Sequence, residues 1–404
     1  MKSALFSERL ARVQAISVLI LILAGIAQAS PKEKVLYRFQ GGTDGFEPLG
    51  TLVADQAGNL YGTTTSGGTG DCNGGCGTAF ELSPNPDGTW TETILYSFAG
   101  GNDGAFPNAG LVFDQNGNLY GTTLHFGGFG DGTVFRLSPP TKSGNAWTET
   151  VLHNFVGDSD GEYCLGSLTF DKTGNLYGAT LFVGTYGGGT IFQLVPPKKG
   201  NQWSLNVLHT FSGRGDGLDP WGPVILDDHG AVYGTNYDGV IYRLKPPAPG
   251  QTKWSFKVLY QLPGLAEQGA LLAGRGALYA TALGGANNQG SVYQIAPHKG
   301  QWKATSLYDF KGGADGSVPL NGLVADRAGN LYGVTSTGGI NDQGTIYRLS
   351  LKNGVWTKTT LYRFQGVSDG ADPESGVIVG PGVLYGTTAA GGVSNNGTVF
   401  QLGR

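Results

Sequence analysis

One phrase, Gly-Asn-Leu-Tyr-Gly-Thr-Thr, recurs along the chain and constrains the fold more than any other feature. It is complete at Gly58–Thr64 and Gly117–Thr123 and returns five more times in altered form. Intervals of 46 to 59 residues separate its seven tyrosines, which are Tyr61, Tyr120, Tyr177, Tyr233, Tyr279, Tyr332 and Tyr385. A repeat of this length is typical of propellers and solenoids.

A complete copy contains four short segments that are typical of β-strands. In the second copy they are Gly110–Asp114, Asn118–Thr123, Gly132–Leu137 and Trp147–Phe155. Turn residues separate the first two segments, and no segment has helical periodicity. Four antiparallel strands per repeat is the composition of one propeller blade. We letter the strands A to D from the central axis outwards.

The two ends of the chain predict how the ring closes. Strands A to C occur seven times, but the last copy stops at Leu402 without a strand D. Lys34–Phe39 matches the end of strand D and precedes the first strand A. We predict that it pairs beside Gly397–Leu402, completes the last blade and leaves no open edge. The predicted fold is therefore all-β: a seven-bladed β-propeller, closed by its N-terminal strand.

Residues 1–29 have the pattern of a secretory signal peptide. A basic region holds Lys2, Arg9 and Arg12, an apolar stretch runs from Ile16 to Ile26, and Ala27-Gln28-Ala29 is a small-x-small cleavage site. The alternative, an uncleaved anchor, is disfavoured because the apolar stretch is short for a membrane span. We predict a signal peptide at 1–29, a single propeller domain at 30–404, and secretion to the periplasm or the exterior.

The net charge of the chain limits the classes of partner that it can bind. Removing residues 1–29 leaves 23 basic and 29 acidic residues, a formal net charge of −6, which gives no basic surface for nucleic acid. No second apolar stretch suggests a membrane helix, and we expect a monomer.

Cys72 and Cys76 are predicted to form a small disulfide, because a metal site would lack further Cys or His ligands nearby. Cys164 is left over, either free or paired elsewhere.

The repeat resembles a known family. The signature Asp-x-x-Gly-Asn-Leu-Tyr-Gly-Thr-Thr, followed by Gly-Gly and then Gly-Thr-Val-Phe-x-Leu, is similar to the GloVer-type tandem repeat of bacterial secreted and surface proteins. Its core resembles NHL-type and lyase-type propeller repeats more loosely. The resemblance runs from Lys34 to Leu402 and implies an exported β-propeller without a settled biochemical activity. Some relatives carry a C-terminal anchoring module, so an end at Arg404 favours release.

The D-to-A and B-to-C loops are predicted to share one face of the ring. One position in the D-to-A loops, usually just before a proline, varies between copies, and we expect it to surround the mouth of the central channel. Its occupants are Glu47, Phe106, Tyr163, Asp219, Val318 and Asp372. The carboxylates Glu47, Asp219 and Asp372 together with the aromatics could bind a sugar or a cation; the alternative is a solvated acidic rim.

Aromatic residues decorate these loops unevenly. They are concentrated in copies two to four, which hold His125, Phe126, Phe129, Phe182, Tyr186, Trp221, Tyr237 and the neighbouring Asp238. Exposed aromatic clusters often mark binding sites. The alternative is that these rings pack on one another and order long loops.

Three functions are compatible with this pattern. The first is a secreted binding or interaction module, with a glycan or a cell-surface protein as partner and carbohydrate as the favoured ligand. The second is a surface scaffold without a small ligand, and the third is a polysaccharide hydrolase or lyase that uses the channel-mouth carboxylates. The sequence offers no specific catalytic set, metal cluster or phosphate loop. We therefore predict no catalytic residues, no metal and no cofactor.

Overall fold

The computed structural model describes residues 32–142, 146–266, 271–274 and 276–404. Glu33–Arg404 form one compact unit. Its strands make seven separate four-stranded antiparallel sheets, which are the blades of a seven-bladed β-propeller. The predicted fold class is therefore confirmed. The predicted signal peptide, residues 1–29, lies outside the described part of the chain.

The strands are short near the axis and longer at the outside. Two 3-10 turns, Gly42–Asp44 and Gly313–Asp315, precede blades 1 and 6. The strands, from A to D, are β2 (Val53–Ala54), β3 (Leu60–Thr64), β4 (Thr78–Pro84) and β5 (Trp90–Ser97) in blade 1; β6 (Val112–Phe113), β7 (Leu119–Thr123), β8 (Thr133–Ser138) and β9 (Thr148–Asn154) in blade 2; β10 (Thr169–Phe170), β11 (Leu176–Thr180), β12 (Thr190–Val195) and β13 (Ser204–Thr210) in blade 3; β14 (Ile225–Leu226), β15 (Val232–Thr235), β16 (Val240–Lys245) and β17 (Ser255–Gln261) in blade 4; β18 (Leu272–Gly274), β19 (Ala277–Ala282), β20 (Ser291–His298) and β21 (Gln301–Asp309) in blade 5; β22 (Val324–Ala325), β23 (Leu331–Thr335), β24 (Thr345–Lys352) and β25 (Val355–Arg363) in blade 6; and β26 (Ile378–Gly380), β27 (Val383–Thr388), β28 (Thr398–Gly403) and β1 (Glu33–Arg38) in blade 7.

The N-terminal strand closes the ring as predicted. Strand β1 pairs antiparallel with β28, with Val35 opposite Phe400 and Arg38 opposite Thr398. Immediately after β1, Phe39 is almost fully buried and packs edge-on against Phe80 of blade 1, with ring centroids 5.2 Å apart. The first strand of the unit therefore joins the last blade to the first.

The repeated phrase is accounted for by structural contacts. In blade 2, the Asp114 carboxylate accepts hydrogen bonds from the backbone N–H groups of Asn116 and Asn118 and from the Tyr120 hydroxyl. Burial alone would raise the pKa of Asp114, but these bonds and that of the Asn118 amide lower it. The Asp-x-x-Gly-Asn-Leu-Tyr core is therefore a self-capped turn.

The Gly-Thr-Thr part joins strands and blades. A Cβ on Gly121 would lie only 2.5 Å from the ring of Phe135, so glycine leaves room for that ring. The Thr122 hydroxyl donates to the Cys164 carbonyl of the next blade's loop. Thr123 and Thr133 join strands B and C through their hydroxyls, 2.9 Å apart. These residues therefore have structural roles within and between the blades.

Aromatic contacts across the blade boundaries form much of the core. The ring that ends strand D of one blade packs on a strand C ring of the following blade, with centroid distances of 5.0 to 5.4 Å. The pairs are Phe39–Phe80, Phe98–Phe135, Phe155–Phe192, Phe211–Tyr242, Phe310–Tyr347 and Phe364–Phe400.

Candidate functional site

The D-to-A and B-to-C loops meet on one face of the ring. Short antiparallel bridges join the two loops of a blade, for example Ala105 with His125 and Glu162 with Phe182. The face is thus built from interlocked loops, and their side chains are held at defined positions.

The variable position of the D-to-A loops has an unusual backbone. Its occupants all have φ between 56° and 58°, although none is glycine; they are Glu47, Phe106, Tyr163, Asp219, Val318 and Asp372. Left-handed backbone is uncommon for other residues and costs free energy. Hydrogen bonds on both sides hold it: the Tyr163 N–H donates to the Asp131 carbonyl of blade 2, and the Tyr163 carbonyl accepts from Leu181 of blade 3. The backbone of Tyr163 therefore joins two neighbouring blades by hydrogen bonds.

Five of the predicted site residues form a continuous aromatic strip across blades 2 and 3. Phe106 contacts Phe126 at 6.3 Å and His125 at 5.8 Å between ring centroids. His125 continues to Tyr163 at 4.7 Å, and Tyr163 reaches Phe182 at 6.0 Å. We call these five residues the aromatic strip. The rings pack on one another, but Phe126 and Phe182 remain 42% and 39% exposed.

Two further aromatic residues extend from the same loops. Phe129 and Tyr186 lie in the B-to-C loops of blades 2 and 3 and are 68% and 67% exposed. Exposed aromatic surface of this kind is costly in water, which is why it often marks a binding surface.

Trp221 and Tyr237 form a second aromatic group in blade 4. Their rings stack with centroids 5.9 Å apart and planes 27° from parallel. Trp221 also lines a narrow cavity at the ring axis, together with Leu49, Asn108 and Leu165. The cavity has a volume of about 50 Å³. Ligand pockets are usually several-fold larger, at ~300–1,000 Å³, so this cavity is small for a ligand site.

The three predicted channel-mouth carboxylates occupy different environments. Glu47 accepts a hydrogen bond from the Ser66 hydroxyl at 3.4 Å. Burial and, secondarily, repulsion from Asp238 raise the pKa of Asp219, while burial raises that of Asp372. Glu47 and Asp372 lie in the loops that lead into the neighbouring blades 1 and 7, whereas Asp219 lies in the loop that leads into blade 4. The acidic neighbour of Asp219 is Asp238, in the B-to-C loop of the same blade.

The structure adds an acid pair that the sequence analysis did not single out. Burial, then repulsion from Asp131 and a hydrogen bond with it, raise the pKa of Glu162. Burial lowers the pKa of His125, and Asp131 opposes this shift, so the carboxylate also acts on the strip. The sequence contains a signal that distinguishes Glu162 from the other copies of the loop. At the position of Glu162 the other five copies with this loop have uncharged residues: Phe46, Ala105, Leu218, Ser317 and Ala371.

The cysteines and the repeated Asp-Gly turns have structural roles. Cys72 and Cys76 form a disulfide within the B-to-C loop of blade 1, and Cys164 is free and buried. Burial raises the pKa of the Cys164 thiol to about 12, so this group stays protonated. The aspartates of the Asp-Gly turns bind strand D side chains, as in Tyr96 to Asp103 at 2.9 Å and His153 with Asp160 at 2.8 Å.

Residues 32–142, 146–266, 271–274 and 276–404 contain no group of three or more His, Cys, Asp or Glu side chains arranged to hold a metal ion. Within the same ranges no helix is long and apolar enough to cross a membrane.

The ring of blades and its unevenly decorated loop face define a β-propeller module. The chain belongs to the Gloeobacter/Verrucomicrobia repeat family, whose model matches residues 26–244, 143–328 and 234–404. The resemblance deduced from the repeat signature is therefore confirmed. No curated protein matches the chain.

Solved structures with related architecture are distant in sequence. One is a putative oxidoreductase (glucose dehydrogenase) from Thermus thermophilus, with 17% identity and a TM-score of 0.40 over 92% of this chain and 99% of that one. Another is a protein of unknown function from Dyadobacter fermentans, with 11% identity and a TM-score of 0.45 over 93% and 98%. At this level of similarity, neither structure bears on what this chain binds.

Proposed function

We propose that the protein is an exported binding module that recognises carbohydrate through the aromatic strip. The observation that carries this proposal is the strip itself: five contacting rings at the loop face of blades 2 and 3, partly exposed to solvent. The corresponding loops of blades 6 and 7 have isolated exposed aliphatic residues, Ile340 and Val393. The loop face of blades 2 and 3 thus differs from that of blades 6 and 7 by its cluster of contacting aromatic rings.

The physical argument concerns shape and preorganisation. The flat, apolar face of an aromatic ring suits the apolar face of a sugar ring, and aromatic side chains lose little entropy on binding because they have few torsions. The backbone at Phe106 and Tyr163 is already held by hydrogen bonds from two blades. Such preorganisation reduces the ordering cost of binding.

Export has separate support. Residues 1–29 have a basic region, an apolar stretch and a small-x-small site, and the Cys72–Cys76 disulfide suits an oxidising compartment. Expression of the full chain, followed by N-terminal sequencing of exported protein, tests this part. We expect a mature start at Ser30. A product that keeps Met1 in the cytoplasm or membrane fraction would overturn it.

The binding proposal is tested by affinity electrophoresis and calorimetry of the chain from Ser30 on a panel of soluble polysaccharides and oligosaccharides. We expect a ligand whose binding is weakened about fivefold or more by Tyr163→Ala, because loss of one stacking ring removes ~1 kcal/mol or more. Val393→Ala is the matched control, since it truncates an exposed residue on a B-to-C loop of another blade. Absence of binding, or equal losses in both variants, would contradict the proposal and favour the scaffold function.

A further inference from the structure

We infer that the carbohydrate bound by the aromatic strip carries free ammonium groups, as in a polymer of deacetylated amino sugars. This inference rests on the proposed function and specifies the chemistry of its ligand. It combines two features of the same surface: the rings of the strip and the carboxylates of Asp131 and Glu162.

The two carboxylates belong to the residues that fix the strip in place. The Asp131 carbonyl accepts the Tyr163 N–H, and the Glu162 N–H donates to the Phe182 carbonyl at 3.1 Å. Glu162 also directly precedes Tyr163 in the chain. Both acidic residues are therefore bonded through their backbone to residues of the strip.

Neither member of this acid pair forms an ion pair within the described part of the chain. In the described ranges the ion pairs of Lys, Arg and His involve other carboxylates, namely Asp160, Asp216, Asp228, Asp315 and Asp326. Burial, then repulsion from Asp131 and a hydrogen bond with it, raise the pKa of Glu162. A cationic group placed between them would relieve that repulsion, so ligands with a positive charge have a specific advantage here.

The rings favour an organic cation over a metal ion. Calcium takes six to eight oxygen ligands, whereas no three candidate ligand side chains cluster in the described ranges. An ammonium group needs only two or three acceptors and gains further from the faces of nearby aromatic rings. A deacetylated amino sugar supplies both a ring face and an ammonium group.

The test compares three hexamers by calorimetry with the chain from Ser30: glucosamine, N-acetylglucosamine and glucose in the same β-1,4 linkage. It is run at a pH where the free amines are protonated. We expect the glucosamine hexamer to bind most tightly and to weaken as salt is added. Glu162→Gln should weaken it about five- to tenfold while changing neutral hexamers less than twofold. Asp71→Asn, at an exposed carboxylate in the B-to-C loop of blade 1, is the matched control and should leave all three unchanged.

The outcomes separate this inference from the proposed function. If all three hexamers bind equally and Glu162→Gln has no effect, the ammonium inference is wrong, but the strip remains a carbohydrate site. If no carbohydrate of any kind binds, both fail. A lysine hexapeptide that binds more tightly than the glucosamine hexamer would overturn the assignment to a sugar and identify a basic peptide as ligand.

Discussion

Lys358 of blade 6 lies 2.8 Å from the carboxylate of Asp315, across the boundary with blade 5, and its side chain is 3% exposed. The same place in strand D is occupied by Glu33, Glu92 and Glu149 in blades 7, 1 and 2. Each of these glutamates faces the aspartate of the loop that precedes its blade, which is Asp369, Asp44 and Asp103 respectively. One boundary is therefore joined by an ion pair, and three others place two acids together.

The acid pairs predict that the propeller loses stability as pH rises. Burial, and then the neighbouring aspartate, raise the pKa of Glu33, Glu92 and Glu149 to about 7, from an ordinary value of 4.5. Because the folded state binds these protons more tightly, their contribution is complete below pH 4.5 and is lost as pH rises through 7. We expect the free energy of unfolding to fall on the order of 1 kcal/mol per glutamate, after solvent screening is considered.

Denaturant unfolding at pH 5, 6, 7 and 8 and constant ionic strength measures this effect. Aspartates whose pKa is lowered, such as Asp114 and Asp326, act in the opposite direction but only as pH falls towards 4. These aspartates therefore do not change the free energy of unfolding above pH 5. Burial lowers the pKa of His125 and His209 from 6.5, so these groups act in the opposite direction only at lower pH. Stability that is flat or rising between pH 7 and 8 would therefore contradict the prediction.

A single substitution tests the acid pair at one boundary, that between blades 1 and 2. Glu149→Gln keeps the shape of the side chain but removes its charge beside Asp103. We expect about 1 kcal/mol of added stability at pH 8 and little change at pH 5, a shift of roughly 1–2 °C in Tm for a chain of this size. The exposed Glu47→Gln serves as control and should leave the pH dependence intact. An equal effect of Glu149→Gln at both pH values would point to packing as its cause.

The reverse experiment uses the natural ion pair. Lys358→Gln removes the cation and leaves Asp315 partly buried with its contacts to the Tyr308 hydroxyl and the Lys311 backbone. Breaking a buried pair from one side is expected to destabilise the protein by about 3 kcal/mol. Thermal unfolding at pH 7 measures it, with Lys172→Gln, whose pair with Asp228 is highly exposed, as the matched control. Similar Tm values for the two variants would show that burial adds nothing to the Lys358–Asp315 pair.

The fold was predictable because each repeated residue has a local or nearest-neighbour role. The turn of Asp114 forms within a short stretch of chain, and the missing strand D left one place for Lys34–Phe39. The arrangement of side chains on the loop face was only partly predictable. His125 and Tyr163 were both named as candidates, but their 4.7 Å contact depends on how two blades meet. Proline favours extended backbone before it, whereas Asp219, which precedes Pro220, has a φ of 56° because loop hydrogen bonds override that preference.

Ring closure by the N-terminal strand can be measured through one side chain. Phe39 packs on Phe80 at 5.2 Å, just as Phe98 packs on Phe135 at 5.0 Å within the continuous part of the chain. Both are essentially fully buried. We expect Phe39→Ala and Phe98→Ala to cost a similar ~3–5 kcal/mol, and deletion of Lys34–Phe39 to cost more. If Phe39→Ala unfolds like the 75% exposed control Val367→Ala, the first strand does not hold the ring closed.

The glycine of the repeated phrase gives the last prediction. Gly121 faces the ring of Phe135, and a Cβ there would lie 2.5 Å from it, whereas a Cβ on Gly101 would have no atom within 4 Å. Gly121→Ala should therefore cost about 1–3 kcal/mol through overpacking, and Gly101→Ala should change stability by less than ~0.5 kcal/mol. In a Phe135→Leu background the cost of Gly121→Ala should shrink, because the smaller side chain leaves room for the methyl group. Denaturant unfolding of this double-mutant cycle measures the coupling. Additive costs would mean that Leu111, whose side chain would lie 2.9 Å from the same Cβ, and not the facing ring, requires glycine in the phrase.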